Sequence, residues 1–219
     1  GCVGHFDTLN AAVAKFGARE QARCLLLEME DGLLPPYERP QRTYTEAVLE
    51  GRGVDVRTST AVDRVEANCV HLQGGGTIPT QTLVWAAGVK ASPVAGMVGT
   101  EQAPDGRVVV NPDLSVPDHP TVYAVGDMAA IAAQDGYEPQ LAQVAIQSGR
   151  HAAKQTQRDL RDGTRESFEY WDLGQMATIG RNAAVAEFAG GISFRGAFAW
   201  FLWVVIHIAK LVGFRNRLS

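Results

Sequence analysis

The sequence has few cysteines, and none of them are paired. Its three cysteines, Cys2, Cys24 and Cys69, lie far apart and form no CxxC motif. We therefore expect neither a disulfide framework nor a thiolate zinc site, and we predict no metal site. This cysteine pattern suits a reducing compartment, and each cysteine is interpreted as a small buried apolar residue.

Long runs of basic residues, internal repeats and low-complexity tracts are also missing. Without a cluster of lysine and arginine, a nucleic-acid partner is not expected. No secretory signal and no initiating methionine open the sequence, so we expect it to begin within a longer protein. What is present is typical of a globular protein with a core: apolar residues make up 46% and charged residues 20% of the chain, with a net charge of -4.

The first part of the chain alternates between strand and helix patterns. Residues 22–28 read as a buried parallel strand, residues 39–53 as a helix ending at glycine, and residues 54–66 as a second strand. Residues 68–89 read as a hairpin followed by a buried strand, TLVWAAG. This order predicts an open α/β sheet.

The second part is less regular until a long helix begins. Residues 107–127 hold two strand candidates, and residues 138–160 have helical spacing with Pro139 near the start. Residues 168–188 alternate in the manner of a strand. The intensely apolar segment 198–214 is flanked by arginines.

Glu28 ends the first predicted strand, and its position suggests a dinucleotide site. In a dinucleotide-binding βαβ unit, an acid at the end of the second strand accepts hydrogen bonds from the adenosine ribose. Glu30 and Asp31 would add to the repulsion of a 2′-phosphate, so the expected cofactor is NADH. Gly1 to Gly4 would then match the end of a GxGxxG fingerprint. The alternatives are a solvated strand-end carboxylate and a chance GxxG.

Two motifs resemble those of the two-dinucleotide-domain flavoproteins. TVYAVGD (121–127) is similar to their second flavin-binding motif, and LVWAAGV (83–89) is similar to the strand that returns the chain from the NAD domain to the FAD domain. The resemblance implies that Gly126 lets the backbone approach FAD and that Asp127 accepts a hydrogen bond from its ribityl chain. Gly88 would bind the cofactor in the companion motif.

AQVAIQSG (142–149) narrows the resemblance to the type II NADH dehydrogenases. Gln143 and Gln147 are four residues apart and share a helix face. In that family a similar helix start lies against the flavin ring and the quinone pocket. The resemblance therefore implies that Ala142 and Gln143 bind the cofactor and that Gln143 and Gln147 act in catalysis. Residues 174–190 and 214–218 are also similar to C-terminal segments of this family.

The resemblance implies an α/β fold built from parts of two Rossmann-like dinucleotide-binding domains, plus a C-terminal amphipathic membrane helix. The expected divisions are an NAD-binding domain at 1–85, the C-terminal part of an FAD-binding domain at 86–165, and a strand segment with the anchor helix at 166–219. The first FAD fingerprint is expected upstream, so this polypeptide alone should bind FAD poorly and be inactive.

The predicted helix from Phe198 to Phe214 is expected to lie in the plane of the bilayer surface. One stripe carries Trp200, Trp203, His207, Lys210 and Arg217, and the opposite stripe is bulky and apolar. A buried core helix and a bilayer span are the alternatives.

The function implied is the transfer of electrons from NADH through FAD to a membrane quinone, without proton pumping. The expected location is the cytoplasmic face of the bacterial inner membrane or an equivalent respiratory membrane, and a homodimer is compatible with the sequence. The alternatives are another flavoprotein of the superfamily, such as a sulfide:quinone reductase, and a non-catalytic membrane-bound dinucleotide-binding module. Sulfide oxidation would need paired redox cysteines.

Overall fold

The computed structural model describes residues 23–161 and 163–210. The predicted fingerprint at Gly1 to Gly4, the cationic end at Arg217 and the residues after 210 lie outside this range. The chain forms two compact units, one made of the residues up to Ala86 together with those from Gly174 onward, and the other of Ala87–Leu173. The sequence placed a division after residue 85 but expected another after residue 165, whereas the C-terminal segment groups with the first unit.

The described elements follow one another in a mixed order. The helices are α1 (Arg39–Gly51), α2 (Val94–Met97), α3 (Ala142–Asp159) and α4 (Ala197–Lys210), and a short 3-10 turn covers Gly126–Met128. The strands of the first unit are β1 (Cys24–Leu27), β2 (Val54–Arg57), β3 (Val62–Glu66), β4 (Cys69–Leu72), β5 (Thr77–Pro79), β12 (Gln175–Gly180), β13 (Ala183–Phe188) and β14 (Ile192–Gly196). Those of the second unit are β6 (Val108–Val109), β7 (Ser115–Val116), β8 (His119–Tyr123), β9 (Ala129–Ala130), β10 (Ala132–Ala133) and β11 (Gly136–Tyr137).

The first unit begins with a β-α-β arrangement, as the sequence predicted. Strands β1 and β2 pair in parallel, and α1 connects them. Leu49 on α1 and Val54 on β2 are both buried in the core beneath the helix. Within the described residues this parallel sheet has only these two strands, so it is smaller than the open sheet that the sequence predicted.

The predicted strand 54–66 is two strands that belong to different sheets. β2 ends at Arg57, and β3 begins at Val62 in an antiparallel sheet with β4 and β5. Ser59 between them has a φ of +48°, which no strand residue adopts. Its N–H donates to the carbonyl of Glu30, so the turn is held to the loop after β1.

The antiparallel sheet β12–β13–β14 carries a helix on each face. Val185 on β13 is buried in the same core as Leu49 of α1. Ala184 and Ala186, on the opposite face of β13, are buried against Ala199 of α4. Successive strand residues point to opposite faces, so residues 184–186 pack against α1 on one face of the sheet and against α4 on the other.

The segment TLVWAAG is not the buried strand that the sequence predicted. No strand covers residues 82–89, and the side chains of Leu83, Val84 and Trp85 are exposed. The described residues provide no strand beside this segment. An apolar run without a neighbouring strand cannot satisfy its backbone in a sheet.

The second unit has its own core beside the short strands β6 to β9. Val108, Leu114 and Val116 are fully buried there, and Val144 of α3 packs into the same cluster. The predicted helix at 138–160 is confirmed, and it begins at Ala142. Its buried face anchors the turn that follows β8.

The C-terminal helix α4 packs one side on the sheet and exposes an apolar row on another. Phe198, Phe201, Val205 and Ile208 are each about half exposed and follow helical spacing. Trp200, expected on the stripe that also carries the cations, is partly buried against the alanines of β13, because their small side chains let the helix approach. No helix in the described ranges combines the length and apolar character that a bilayer span needs.

Candidate functional site

Glu28 follows the last residue of β1, at the carboxyl end of the parallel pair. Its backbone N–H continues the sheet by donating to the carbonyl of Arg57 at 2.9 Å. The side-chain Oε1 accepts a hydrogen bond from the N–H of Glu30 at 3.0 Å. The carboxylate is thus positioned by its own loop and remains partly exposed, with acceptor sites left for ligand hydroxyls.

The acidic character of this loop is weaker than the sequence suggested. Arg42 of α1 forms a salt bridge with Asp31, and its Nε donates to the carbonyl of Leu33 at 3.2 Å. Asp31 is therefore paired with a cation of α1 rather than left as an isolated charge.

Gly126 needs to be glycine for two separate reasons. Its φ is +64°, and a Cβ built there would lie 3.1 Å from the Cβ of Ala145 on α3. Its N–H donates to Oγ of the buried Ser148 at 3.1 Å. The missing Cβ at Gly126 therefore lets the turn after β8 lie directly on α3.

Asp127 extends from this turn into solvent. Its backbone carbonyl accepts a hydrogen bond from Nε2 of Gln140 at 2.8 Å, which fixes the turn, and its side chain is exposed. At the start of α3 the N-cap residue Leu141 makes no side-chain cap hydrogen bond. The hydrogen bond from Gln140 thus links the turn at Asp127 to the residues that lead into α3.

Gln143 and Gln147 share a face of α3, as the sequence predicted, and both bind the segment that ends the second unit. Gln147 Nε2 donates to the carbonyl of Trp171 at 2.9 Å, and Gln147 Oε1 accepts from the N–H of Trp171 at 3.0 Å. Gln143 Oε1 accepts from the N–H of Leu173 at 3.4 Å. This partner could not be predicted from the sequence, because extended backbone has no residue signature.

A carboxyl group that the sequence analysis missed lies just before α3. Burial raises the pKa of Glu138, and the negative charge of Asp172 raises it further. The Glu138 carbonyl also accepts a hydrogen bond from Arg107 at 2.7 Å. A carboxyl group that retains its proton more readily is a candidate proton donor.

A cation holds the far end of α3 to β8. Arg165 donates to Asp159 at 2.7 Å and to Asp113 at 3.2 Å, and its guanidinium lies over the ring of Tyr123, 5.1 Å from the centroid. Burial and the hydrogen bond to Asp159 raise the pKa of Tyr123 to about 12. This cluster fixes the strand that leads into Gly126.

Gly88 lies in the exposed segment rather than at the end of a strand. Its φ is +86°, and no atom lies within 4 Å of a Cβ built there. The turn favours glycine for its backbone conformation alone. Gly88, Gly126 and Asp127 belong to the second unit, whereas Glu28 belongs to the first.

Comparisons with known proteins agree with these features. The family model for pyridine nucleotide-disulphide oxidoreductases matches residues 9–149, and the model for the NDH2 C-terminal domain matches residues 172–219. The type II NADH:quinone oxidoreductase NdhA of Mycobacterium tuberculosis is 36% identical over 212 residues, which cover 91% of this chain and 44% of that protein. An internal alternative NAD(P)H-ubiquinone oxidoreductase of Arabidopsis thaliana is 29% identical, over 91% of this chain and 42% of that protein. The chain thus spans less than half the length of these relatives.

Solved structures show the same fold. NDH2 from Plasmodium falciparum, in complex with NADH, aligns with a TM-score of 0.82 at 16% identity, covering 96% of this chain and 59% of that one. The sulfide:quinone oxidoreductase of Aquifex aeolicus aligns with a TM-score of 0.72 at 18% identity, covering 95% and 54%. From the motifs, the βαβ unit, the glycine turn on α3 and these matches, we conclude that the chain belongs to the pyridine nucleotide-disulphide oxidoreductase family, in its type II NADH dehydrogenase branch.

Proposed function

We propose that the protein is an FAD-dependent NADH:quinone oxidoreductase that passes two electrons from NADH to a membrane quinone without pumping protons. The observation that carries this proposal is the Gly126–Asp127 turn packed on the start of α3. The names of the curated relatives support NADH as the donor and a quinone as the acceptor.

The residues around this turn fit FAD. When bound, FAD supplies the two-electron chemistry, and the protein supplies binding and orientation. The exposed Asp127 carboxylate would accept a hydrogen bond from a ribityl hydroxyl. The N–H of Ala142 in the first turn of α3 would donate to a flavin oxygen, which the positive end of the helix dipole favours. Gly88 would leave the backbone bare beside the cofactor, and Gly126 would hold the binding turn close against α3.

Glu28 would bind the other dinucleotide. Its partly exposed carboxylate would accept hydrogen bonds from the adenosine ribose hydroxyls of NADH. The hydrogen bond from the N–H of Glu30 holds the carboxylate in place before the ligand arrives. A 2′-phosphate at the same position would meet two negative charges.

Gln143 and Gln147 have different roles in this proposal. Gln143 is near the helix start and would contact the flavin and the quinone. Gln147 would act as a positioning residue, because both polar atoms of its amide already bind the backbone of Trp171.

Helix α4 would place the protein on the membrane. The exposed row of Phe198, Phe201, Val205 and Ile208 would enter the boundary between headgroups and acyl chains, with the helix axis in the plane of the surface. We propose the cytoplasmic face of the inner membrane as the location and a homodimer as an assembly compatible with it.

The complete gene product that contains this chain provides the test. It should purify with a flavin absorbance spectrum and oxidise NADH with a short-chain quinone. Asp127→Asn should lower flavin occupancy, because a hydrogen bond to a charged group contributes about 1.5–3 kcal/mol. Asp135→Asn, an exposed carboxylate on the β10–β11 hairpin, is the matched control.

Three results would contradict the proposal. Purification without flavin would favour a non-catalytic dinucleotide-binding module. Quinone reduction with sulfide but not with NADH would favour a sulfide:quinone reductase. Equal flavin content in the Asp127→Asn and Asp135→Asn variants would remove Asp127 from the site.

A further inference from the structure

The β3–β4 hairpin of the first unit brings a carboxylate, a thiol and an imidazole together. The strand register pairs Glu66 with Cys69 across the turn formed by Ala67 and Asn68. His71 follows Cys69 by two residues, so both side chains point to the same face of the sheet. One ligand atom from each of the three side chains lies within 4.8 Å of the other two.

The separations of these atoms match those of a metal site. Cys69 Sγ lies 3.5 Å from His71 Nε2 and 3.6 Å from Glu66 Oε2. His71 Nε2 lies 3.2 Å from Glu66 Oε1. Zinc bonds of about 2.0–2.3 Å at tetrahedral angles place neighbouring ligand atoms roughly 3.3–3.7 Å apart. The three side chains therefore need little movement to bind one cation.

A second residue orients the imidazole towards this cluster. His71 pairs with Thr77 of β5, and His71 Nδ1 lies 3.2 Å from Thr77 Oγ1. A proton on Nδ1 that is donated to this hydroxyl leaves the Nε2 lone pair directed at the cluster. Histidine ligands in metal sites are usually held by a hydrogen bond on the other ring nitrogen in this way.

We propose that Glu66, Cys69 and His71 form a three-ligand Zn²⁺ site with water in the fourth position. A thiolate with an imidazole selects zinc over magnesium and calcium, which prefer oxygen ligands. Binding deprotonates the thiol of Cys69, and that proton passes to solvent. Zinc sites with three protein ligands keep the fourth position open for water, whereas structural zinc sites are closed by four protein ligands.

The positive charge of Arg64 lies beside the proposed ligands and should lower their affinity for Zn²⁺. Its Nε donates to Glu66 Oε1 at 3.1 Å, and its guanidinium lies 3.4 Å from His71 Nε2. A zinc ion has to displace this side chain and meets its positive charge. Removal of the Arg64 charge should therefore strengthen binding.

The sequence predicted no metal site because it has no closely spaced cysteines. This cluster has a single cysteine, and its other ligands become neighbours only through the hairpin register. The proposal depends on neither FAD nor quinone, so its test is independent of the proposed function.

A cobalt titration tests the proposal on the full chain. Replacement of Cys2 and Cys24 by serine leaves Cys69 as the one thiol. We expect this variant to bind one Co²⁺ per chain, with the thiolate-to-cobalt charge-transfer band and the d–d bands of a tetrahedral site. Zn²⁺ should abolish these bands by displacement. Absence of the charge-transfer band in this background would overturn the proposal.

Further substitutions in the same background identify the ligands. Cys69→Ser should abolish the charge-transfer band, and Glu66→Gln and His71→Ala should each weaken Co²⁺ binding. Thr77→Val should cost about tenfold in affinity, as is usual for a residue that orients a ligand. Arg64→Gln should bind more tightly, whereas Asp63→Asn, a carboxylate on the same strand, should bind as the background does.

Thermal unfolding with Zn²⁺ supplies a second measurement that also checks folding. The metal should raise the unfolding temperature of the background variant and leave that of Cys69→Ser unchanged. An equal rise in both variants would overturn the proposal, as would equal effects of Glu66→Gln and Asp63→Asn on cobalt affinity.

Discussion

Both polar atoms of the Gln147 side chain hydrogen-bond to the backbone of Trp171. Nε2 donates to the Trp171 carbonyl at 2.9 Å, and Oε1 accepts from its N–H at 3.0 Å. The amide therefore pairs with extended backbone much as a neighbouring strand would. Trp171 itself is largely exposed, so this pairing rather than burial of the indole holds the segment on α3.

Gln147→Ala should release this segment. Two neutral hydrogen bonds, each of about 0.5–1.5 kcal/mol, would be lost. Hydrogen exchange at the Trp171 amide should accelerate, and quinone reduction should slow more than flavin reduction by NADH. Gln157→Ala, an exposed glutamine on the same helix, is the control. If the two variants exchange at the same rate, Gln147 does not position the segment.

Gly126→Ala should destabilise the second unit. The new Cβ would lie 3.1 Å from the Cβ of Ala145, and φ is +64°. A strained backbone conformation of this kind costs about 1–3 kcal/mol. Gly149 lies on α3, and no atom lies within 4 Å of a Cβ built there. Gly149→Ala should therefore stabilise the helix by about 0.5–1 kcal/mol. Urea unfolding measures both, and a common sign of the two changes would contradict the account of Gly126.

Glu28→Gln should weaken the preference for NADH. The substitution removes the charge that repels a 2′-phosphate. It also replaces a charged hydrogen-bond acceptor by a neutral one, and a hydrogen bond to a charged group contributes about 1.5–3 kcal/mol to binding. The Michaelis constant for NADH should rise, and the ratio of NADPH to NADH turnover should increase. Glu50→Gln, an exposed carboxylate near the end of α1, is the control and should leave the ratio unchanged. A larger shift in Glu30→Gln than in Glu28→Gln would assign the selectivity to Glu30.

Acidic substitutions on the exposed row of α4 should detach the protein from membranes. Phe201 and Val205 are 57% and 46% exposed, and burial of the exposed half of each side chain in the bilayer is worth about 1 kcal/mol. Combined Phe201→Glu and Val205→Glu should abolish co-sedimentation with anionic vesicles. Leu160→Glu, at an exposed position after α3, should sediment as the wild type does. If the double variant still sediments with the vesicles, the exposed row of α4 is not the membrane-binding face.

Arg165→Gln should lower the stability of the second unit in a pH-dependent way. The hydrogen bond from Arg165 lowers the pKa of Asp159. Burial opposes the change at Asp113, but hydrogen bonds from Ser115 and Arg165 lower its pKa overall. A carboxyl group with a lowered folded pKa stabilises above its unfolded pKa of about 4, and that contribution disappears as the pH falls through the folded value.

Urea unfolding at several pH values checks this prediction. The difference between wild type and Arg165→Gln should be full at neutral pH and should narrow below about pH 4, as the two carboxyl groups take up protons. Arg161→Gln, which replaces an exposed arginine just after the end of α3, is the control. A difference that stays constant down to strongly acidic pH would show that Arg165 acts through packing alone.

Periodicity and turn residues predicted the elements that depend on local sequence. The strand before Glu28, the helix α1 and the helix that carries Gln143 all lie close to the expected residues. These segments have regular apolar spacing, and a proline lies at or just before the start of each helix. The glycine after β8 was also recognisable, because a strand that runs into Gly-Asp is a short local pattern.

Partner strands determined the elements that were predicted wrongly. The run 54–66 is uniformly strand-like, yet it breaks at Ser59 because the loop after β1 binds the turn. The run 83–89 is as apolar as any strand, yet it is exposed because the described residues offer it no neighbour. A single segment carries no information about whether a second segment will lie beside it.

The sequence by itself determined which residues carry chemical groups and where the regular helices begin and end, because both depend on neighbours in the chain. Only the tertiary structure decided what those groups meet. Asp31 pairs with Arg42, Gln147 with the backbone of Trp171, and Glu66 with Cys69 and His71. Each of these contacts results from a chain reversal or a strand register, which fixes the distance between side chains that local spacing leaves open.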